Sequence, residues 1–178
     1  MLRGYSLNTV FKYLGPSLFV KGEFNRQFIL MTAAEIQFSL SEAKQRFADV
    51  TLPNTAQSYY EAGVLQSFRV LGVPNAATNA QALLTGGLVN ADWSASTNKI
   101  EAIATQKWIG LVNFSGLEAW TEYRKTGIPN TPQAATVTDN KRPIRLFYPN
   151  TESGSNTANV KAQGVIDVFT SRIFWDID

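Results

Sequence analysis

Along "MTAAEIQFSLSEAKQRF" the apolar positions step by three and four residues. Ile36, Leu40, Ala43 and Phe47 fall on one side of a helix with 3.6 residues per turn. Thr32 with Glu35 three residues later forms a capping-box pattern at its start: the hydroxyl takes an amide of the first turn and the carboxylate reaches back. "VTLPNTA" interrupts the period. A second helix opens at Asn54 or Thr55 and carries Tyr60, Val64, Phe68 and Leu71 as its stripe. Gly72 and Pro74 close it in the order expected of a helix C-terminus.

"NAATNAQALL" predicts a short third helix, and "TGGLVNADWSAS" a loop or a brief extended piece around Val89–Trp93. The period returns in "TNKIEAIATQKWIGLVNF", with Ile100, Ala104, Trp108, Leu111 and Val112 on the apolar face. Ser115 and Glu118 repeat the capping-box pattern. The helix they open carries Leu117, Trp120 and Arg124 along one side and ends at Gly127 and Pro129. Two antiparallel helix pairs are therefore expected, over roughly residues 32–71 and 98–126. The fold class is mostly α, with TPR-like helix pairs of an α-α superhelix and long irregular loops. The usual TPR sequence pattern is not evident.

Outside the pairs the period fades. Residues 1–30 mix aromatics with Gly4, Gly15, Pro16 and Gly22 and read as irregular structure with a short strand at most. From Ile128 the chain turns rich in Pro, Asn, Thr and Ser around the apolar island "RLFYP", which reads as a long loop. "QGVIDVF" is expected to add a final helical turn, and the aromatics of "TSRIFWDID" to tuck back.

Composition narrows the chemistry. The 178 residues are 44% hydrophobic and 17% charged, enough for one globular domain with a core. Sixteen basic against fourteen acidic residues give +2, with no dense Lys/Arg block, so no nucleic-acid partner is expected. Cysteine and histidine are both absent, which removes disulfides, Cys/His zinc sites, cysteine nucleophiles and histidine-based triads. Neither GxGxxG nor GxxxxGK[ST] occurs, and no loop has EF-hand spacing. No cofactor or metal is expected. Apolar runs such as "FILM" at 28–31 are far below the ~20 residues of a membrane span. The chain as written reads as soluble, without an export signal of its own.

Carboxylates are the main acid/base candidates. Glu118 and Glu122 are four apart on one helix face, whereas a glycosidase needs two carboxylates flanking a bond, usually from different elements. Glu118 and Glu35 already have capping roles, and Glu42 is expected to pair with a basic residue on a neighbouring helix. Trp108, Trp120 and Tyr123 have rings that match the apolar face of a sugar, but aromatics at helical spacing are ordinarily core. Trp93 and Tyr148 lie in loop-like segments and are the better stacking candidates. Arg124 has a guanidinium fork suited to a carboxylate. A catalytic Lys107 would need a desolvated amine. "TESGSNT" reads as a solvated loop.

Several segments, in order from about residue 30 to the end, resemble the SusD/RagB family. "MTAAEIQFSLSEAKQR" is similar to the helix that starts the family's C-terminal half, and "YYEAGVLQSFRVLGV" to the next helix. "IATQKWIGLVNFSGLEAWTEYRKTGIP" resembles its QKW helix, EAW, aromatic–Arg pair and TG-P ending. "RPIRLFYPNTESGSNTANV" and "FWD" match its closing segments. The resemblance implies a non-catalytic surface lipoprotein of the Bacteroidetes outer membrane. Such a protein binds glycans, or other nutrients such as peptides, above a SusC-like TonB-dependent transporter. On this reading residues 1–30 are a lead-in and 31–178 the C-terminal helical domain of a SusD-like fold; the lipid-bearing cysteine lies outside this chain. Gln106, Lys107, Trp108, Glu118, Trp120, Arg124, Arg145 and Tyr148 match as framework residues, and no ligand residue is carried over. Two rival classes are a helical scaffold contacting the transporter without a ligand site, and a hydrolase built on two carboxylates.

Overall fold

Local signals start four of the helices where the sequence places them. A computed structural model describes residues 29–112, 114–130, 141–174 and 176, so the expected irregular lead-in and strand lie almost wholly outside the described residues. In α1 (Ala33–Arg46) the Thr32 hydroxyl accepts from the Glu35 amide at 3.1 Å. In α2 (Ala56–Val70) Thr55 caps in the same way, accepting from Ser58. Asn98 opens α4 (Lys99–Leu111) and Ser115 opens α5 (Gly116–Thr126). Each cap satisfies an amide that has no partner within its own helix.

The end of α2 is equally local. Gly72 adopts φ +68°, its amide donates to Arg69 O, and the Val73 amide donates to Phe68 O. That is the paired bonding of a Schellman end, which needs a residue at ease with positive φ. The predicted short helix forms as α3 (Ala76–Leu84). Among the described residues no strand forms, and the helices pack in pairs, α1 on α2 and α4 on α5, with α1 and α2 also against α4.

The chain divides into two compact units, Met1–Asn130 and Thr131–Asp178. In the first, Ala34, Phe38, Tyr60, Val64, Ala80, Leu84, Ala102 and Ile103 form the core. Phe38 meets Tyr60 edge to face, centroids 6.1 Å apart, a favoured arrangement of ring quadrupoles. Small residues let the helices approach this ring. A Cβ on Gly63 would stand 2.7–2.9 Å from Phe38 ring atoms, and one on Gly110 3.5 Å from Phe38 Cε2.

The face that α1 buries differs from the one its apolar spacing predicts. Ala34, Phe38 and Ser41 point inward with Glu35 and Glu42, while Ile36 is 45% and Phe47 54% exposed. The reason is that the polar members of the inner face have partners. The Ser41 hydroxyl donates to Ala56 O at 2.7 Å, and Glu42 is ion-paired. A satisfied polar group can be buried, so counting apolar positions alone selects the wrong side. In α5 Leu117 is likewise exposed, and the buried positions are Ala119 and Glu122.

In the second unit α6 (Asn150–Ser155) and α7 (Thr157–Ala162) occupy "NTESGSNTANVKA", where the sequence predicts a loop. Side-chain bonds back to the preceding turn, such as Ser155 Oγ to Thr151 O, hold these short helices. "QGVIDVF" is not helical. Gly164 takes φ +75°, and the Asp167 carboxylate captures the Phe169 amide at 2.8 Å, a local competitor of helix formation. Ile144 donates to Val168 O, tying the segment before α6 to the segment after α7. Phe174 is exposed rather than tucked in, and Trp175 lies outside the described residues.

Candidate functional site

Trp93 sits in a loop that is fixed from several sides. Residues 85–97 form successive turns, with Asn90 at φ +66°, rather than an extended piece. The Asp92 carboxylate accepts from the Gly87, Ser94 and Ala95 amides. Those backbone bonds, Gly87 first, outweigh partial burial and hold its carboxyl below the ordinary range. The Tyr60 hydroxyl donates to Ala91 O at 2.7 Å, and Gln106 Nε2 donates to Asn90 O at 2.8 Å. Burial, then the charges of Asp92 and Glu61, push the Tyr60 phenol up, so it stays a neutral donor. Gln106 of the QKW segment is thus the strut beneath the Trp93 loop.

The Trp93 ring is half-buried. It lies 5.2 Å from the Tyr60 ring, and Lys99 Nζ stands 5.1 Å over its centroid while donating to Trp93 O and Ser96 O. The cation and the backbone bonds together set the ring's orientation.

Lys107 of the QKW segment belongs to an ion network across three helices. Lys107 of α4 meets Glu122 of α5 at 2.7 Å, with both side chains nearly buried. Lys125 lies 3.3 Å from the second Glu122 oxygen and 2.8 Å from Glu42 of α1. Arg46 Nε closes on Glu42 at 2.7 Å. Burial disfavours the charged form of Glu42, but the hydrogen bonds from Lys125 and Arg46 prevail and hold its carboxyl below the ordinary value. Burial likewise opposes the Lys125 charge, and the Glu42 hydrogen bond with the Glu122 charge raise it nonetheless. Glu42 therefore has the cross-helix basic partner expected of it, and Lys107 is committed to a carboxylate. Glu118 is exposed, and its amide is held by Ser115 at 3.4 Å.

Trp108 and Trp120 are half-buried on the helix pair, with the Arg124 guanidinium 5.1 Å over the Trp120 ring. Tyr148 lies in the second unit, half-buried, with Arg145 stacked at 5.4 Å. Trp93 and Tyr148 thus each carry a cation over one ring face and stand in different units. Sequence reasoning gave no role to an open groove of about 470 Å³ lined by Ser39, Glu42, Ala43, Arg46, Phe47 and Lys125. The signal for it was the i, i+3, i+4, i+7 row of Ser39, Glu42, Ala43 and Arg46 along one side of α1, whose opening to solvent only the observed helix orientation reveals. Among the described residues no group of three or more His, Cys, Asp or Glu side chains is placed to hold a metal ion, and no helix is long and apolar enough to cross a membrane.

A family model described as "SusD-like_2: Starch-binding associating with outer membrane" matches residues 2–149. No curated protein matches the chain.

Proposed function

The chain belongs to the SusD-like family, and from that premise we propose that it is a non-catalytic glycan-binding component of an outer-membrane uptake system that works beside a SusC-type TonB-dependent transporter. The observation that carries this reading is the family match over residues 2–149, whose description is starch-binding and associating with the outer membrane. The geometry is consistent with binding rather than turnover. Glu122 is held between Lys107 and Lys125, and Glu118 is an exposed residue of a helix start. Neither arrangement resembles a pair of carboxylates facing each other across a bond. Trp93 and Tyr148 are the residues proposed to stack on sugar rings. Rings oriented by a neighbouring cation need little reordering on binding, which favours affinity.

The test is a titration of the chain with soluble starch, maltooligosaccharides and a panel of other glycans, read by tryptophan fluorescence and by retention in glycan-containing native gels. A saturable response that Trp93→Ala or Tyr148→Ala weakens about tenfold or more supports the reading, the size expected for losing one stacked ring. A second reading, a helical scaffold that contacts the transporter without a ligand of its own, draws on Ile109, Val112 and Leu117, exposed apolar side chains around the junction of α4 and α5. Co-purification with the transporter and no response to any glycan would select it.

A further inference from the structure

The groove between α1 and Lys125 has the donors of an anion site and the wall of a ring site. Glu42 has one oxygen held by Arg46 Nε and Lys125 Nζ and the other by Lys125 Nζ at 3.1 Å. Its carboxylate therefore has little capacity left for a ligand. Arg46 uses only Nε in this contact; its Nη1 and Nη2 groups make no hydrogen bond among the described residues, and its side chain is 40% exposed. A guanidinium carries five N–H donors in a planar fork, so four remain free to face the groove. The Ser39 hydroxyl is also exposed and unbonded among the described residues.

Charge points the same way. Arg46, Lys125 and Lys107 oppose Glu42 and Glu122 in the network, leaving one positive charge in excess. That excess falls on the open side, because the Lys107–Glu122 pair is the nearly buried part. Beside these donors stand the half-exposed Phe47 ring and the Ala43 methyl. A volume of about 470 Å³ is within the range of small-ligand clefts.

We propose that this groove binds an acidic sugar unit, a hexuronate. Its carboxylate meets the Arg46 fork within the field of the Lys125 charge, and its ring lies on Phe47. A planar carboxylate matches the guanidinium in two parallel hydrogen bonds, and a pyranose offers an apolar face to an aromatic ring. The inference extends the glycan-binding reading to a second site with a stated sugar chemistry, and it rests on that reading for the sugar rather than for the charge.

The experiment follows amide and side-chain NMR shifts of the whole chain on addition of digalacturonate, glucuronate, maltose or acetate. The expected result is that the uronates shift the signals of Ser39, Arg46, Phe47 and Lys125 saturably, and that affinity falls as salt rises. Maltose leaves those signals in place, and acetate moves them only at far higher concentration. Arg46→Gln and Phe47→Ala each weaken the uronate at least about tenfold. Ser39→Glu, which adds a negative charge at an exposed position outside the ion network, weakens it as strongly and guards against a folding defect in the other two. Equal shifts from maltose and uronate, or uronate affinity unchanged in both Arg46→Gln and Ser39→Glu, would overturn the proposal. Loss of neutral-glycan binding in Trp93→Ala with these shifts intact would leave the groove standing as a separate site. Uronate shifts in a chain that binds no neutral glycan would support the groove and sink the starch-like reading. Acetate shifts as strong as those from uronate would reduce the site to a simple anion contact and refute it.

Discussion

Phe38 occupies a slot that closes against Gly63, a neighbour without a side chain. At Gly63 an added methyl meets Phe38 ring carbons at 2.7–2.9 Å, and Phe38 is itself fully buried. Alanine would raise helix propensity there by about 1 kcal/mol, but overpacking a closed core costs roughly 1–3 kcal/mol. Gly63→Ala is therefore expected to lower the stability of the first unit, measured as the urea midpoint. Gly116→Ala, at the first position of α5 where nothing lies within 4 Å, is expected to raise it by up to about 1 kcal/mol. The same chemical change with opposite signs at two glycines would separate close packing from propensity. Single-residue signals of this kind are partly legible in sequence. Thr32, Thr55 and Ser115 act as caps as their spacing predicts, because a cap involves only residues three apart. Gly63 is silent in sequence, since its role depends on a ring contributed by another helix.

At the scale of elements, the α4–α5 pair turns on the Lys107–Glu122 contact. Lys107→Met leaves a buried carboxylate with Lys125 at 3.3 Å as its remaining cation. Breaking a buried pair costs ~3–5 kcal/mol, and the remaining cation places the expected loss near the lower end of that range. Replacing both partners, Lys107→Met with Glu122→Leu, is expected to recover most of it, because neither charge is then left alone. A thermodynamic cycle on these variants measures the coupling; near-additive losses would contradict the role assigned to the pair. The existence and limits of the five longer helices were legible in the apolar period and the punctuating Gly and Pro. Which face α1 buries was not, since Ser41 and Glu42 are made acceptable inside by Ala56 and Lys125, partners distant in sequence. The loop around Trp93 was legible, but its fixing was not, for the same reason: its pins, Tyr60 and Gln106, come from two other helices. The short α6 and α7 carry no buried residue and so leave no apolar period to read.

For the molecule as a whole, the ion network predicts how stability depends on pH. Glu42 and Asp92 both have carboxyls held below their ordinary values of 4.5 and 3.8. A depressed carboxyl contributes stability above its unfolded value and loses it as pH falls through the folded one. Lys125 is raised above 10.5, so its contribution is complete below that value and is lost as pH rises through the folded one. Melting temperatures should therefore hold near neutrality, drop below about pH 4 and drop again above about pH 10.5. Glu42→Gln should flatten part of the acid limb; an unchanged limb would count against Glu42 as a contributor. The family, the helical class and the framework role of the QKW–EAW stretch follow from local sequence. The surroundings of the proposed ligand surfaces do not, because they are assembled from side chains that only the fold brings together.

Binding without turnover can be measured by calorimetric titration of the chain with maltooligosaccharides, with reducing ends assayed in the same samples after long incubation. Saturable heat, weakened by Trp93→Ala, with no new reducing ends is the predicted result. New reducing ends that disappear in Glu118→Gln or Glu122→Gln would instead make the protein a hydrolase.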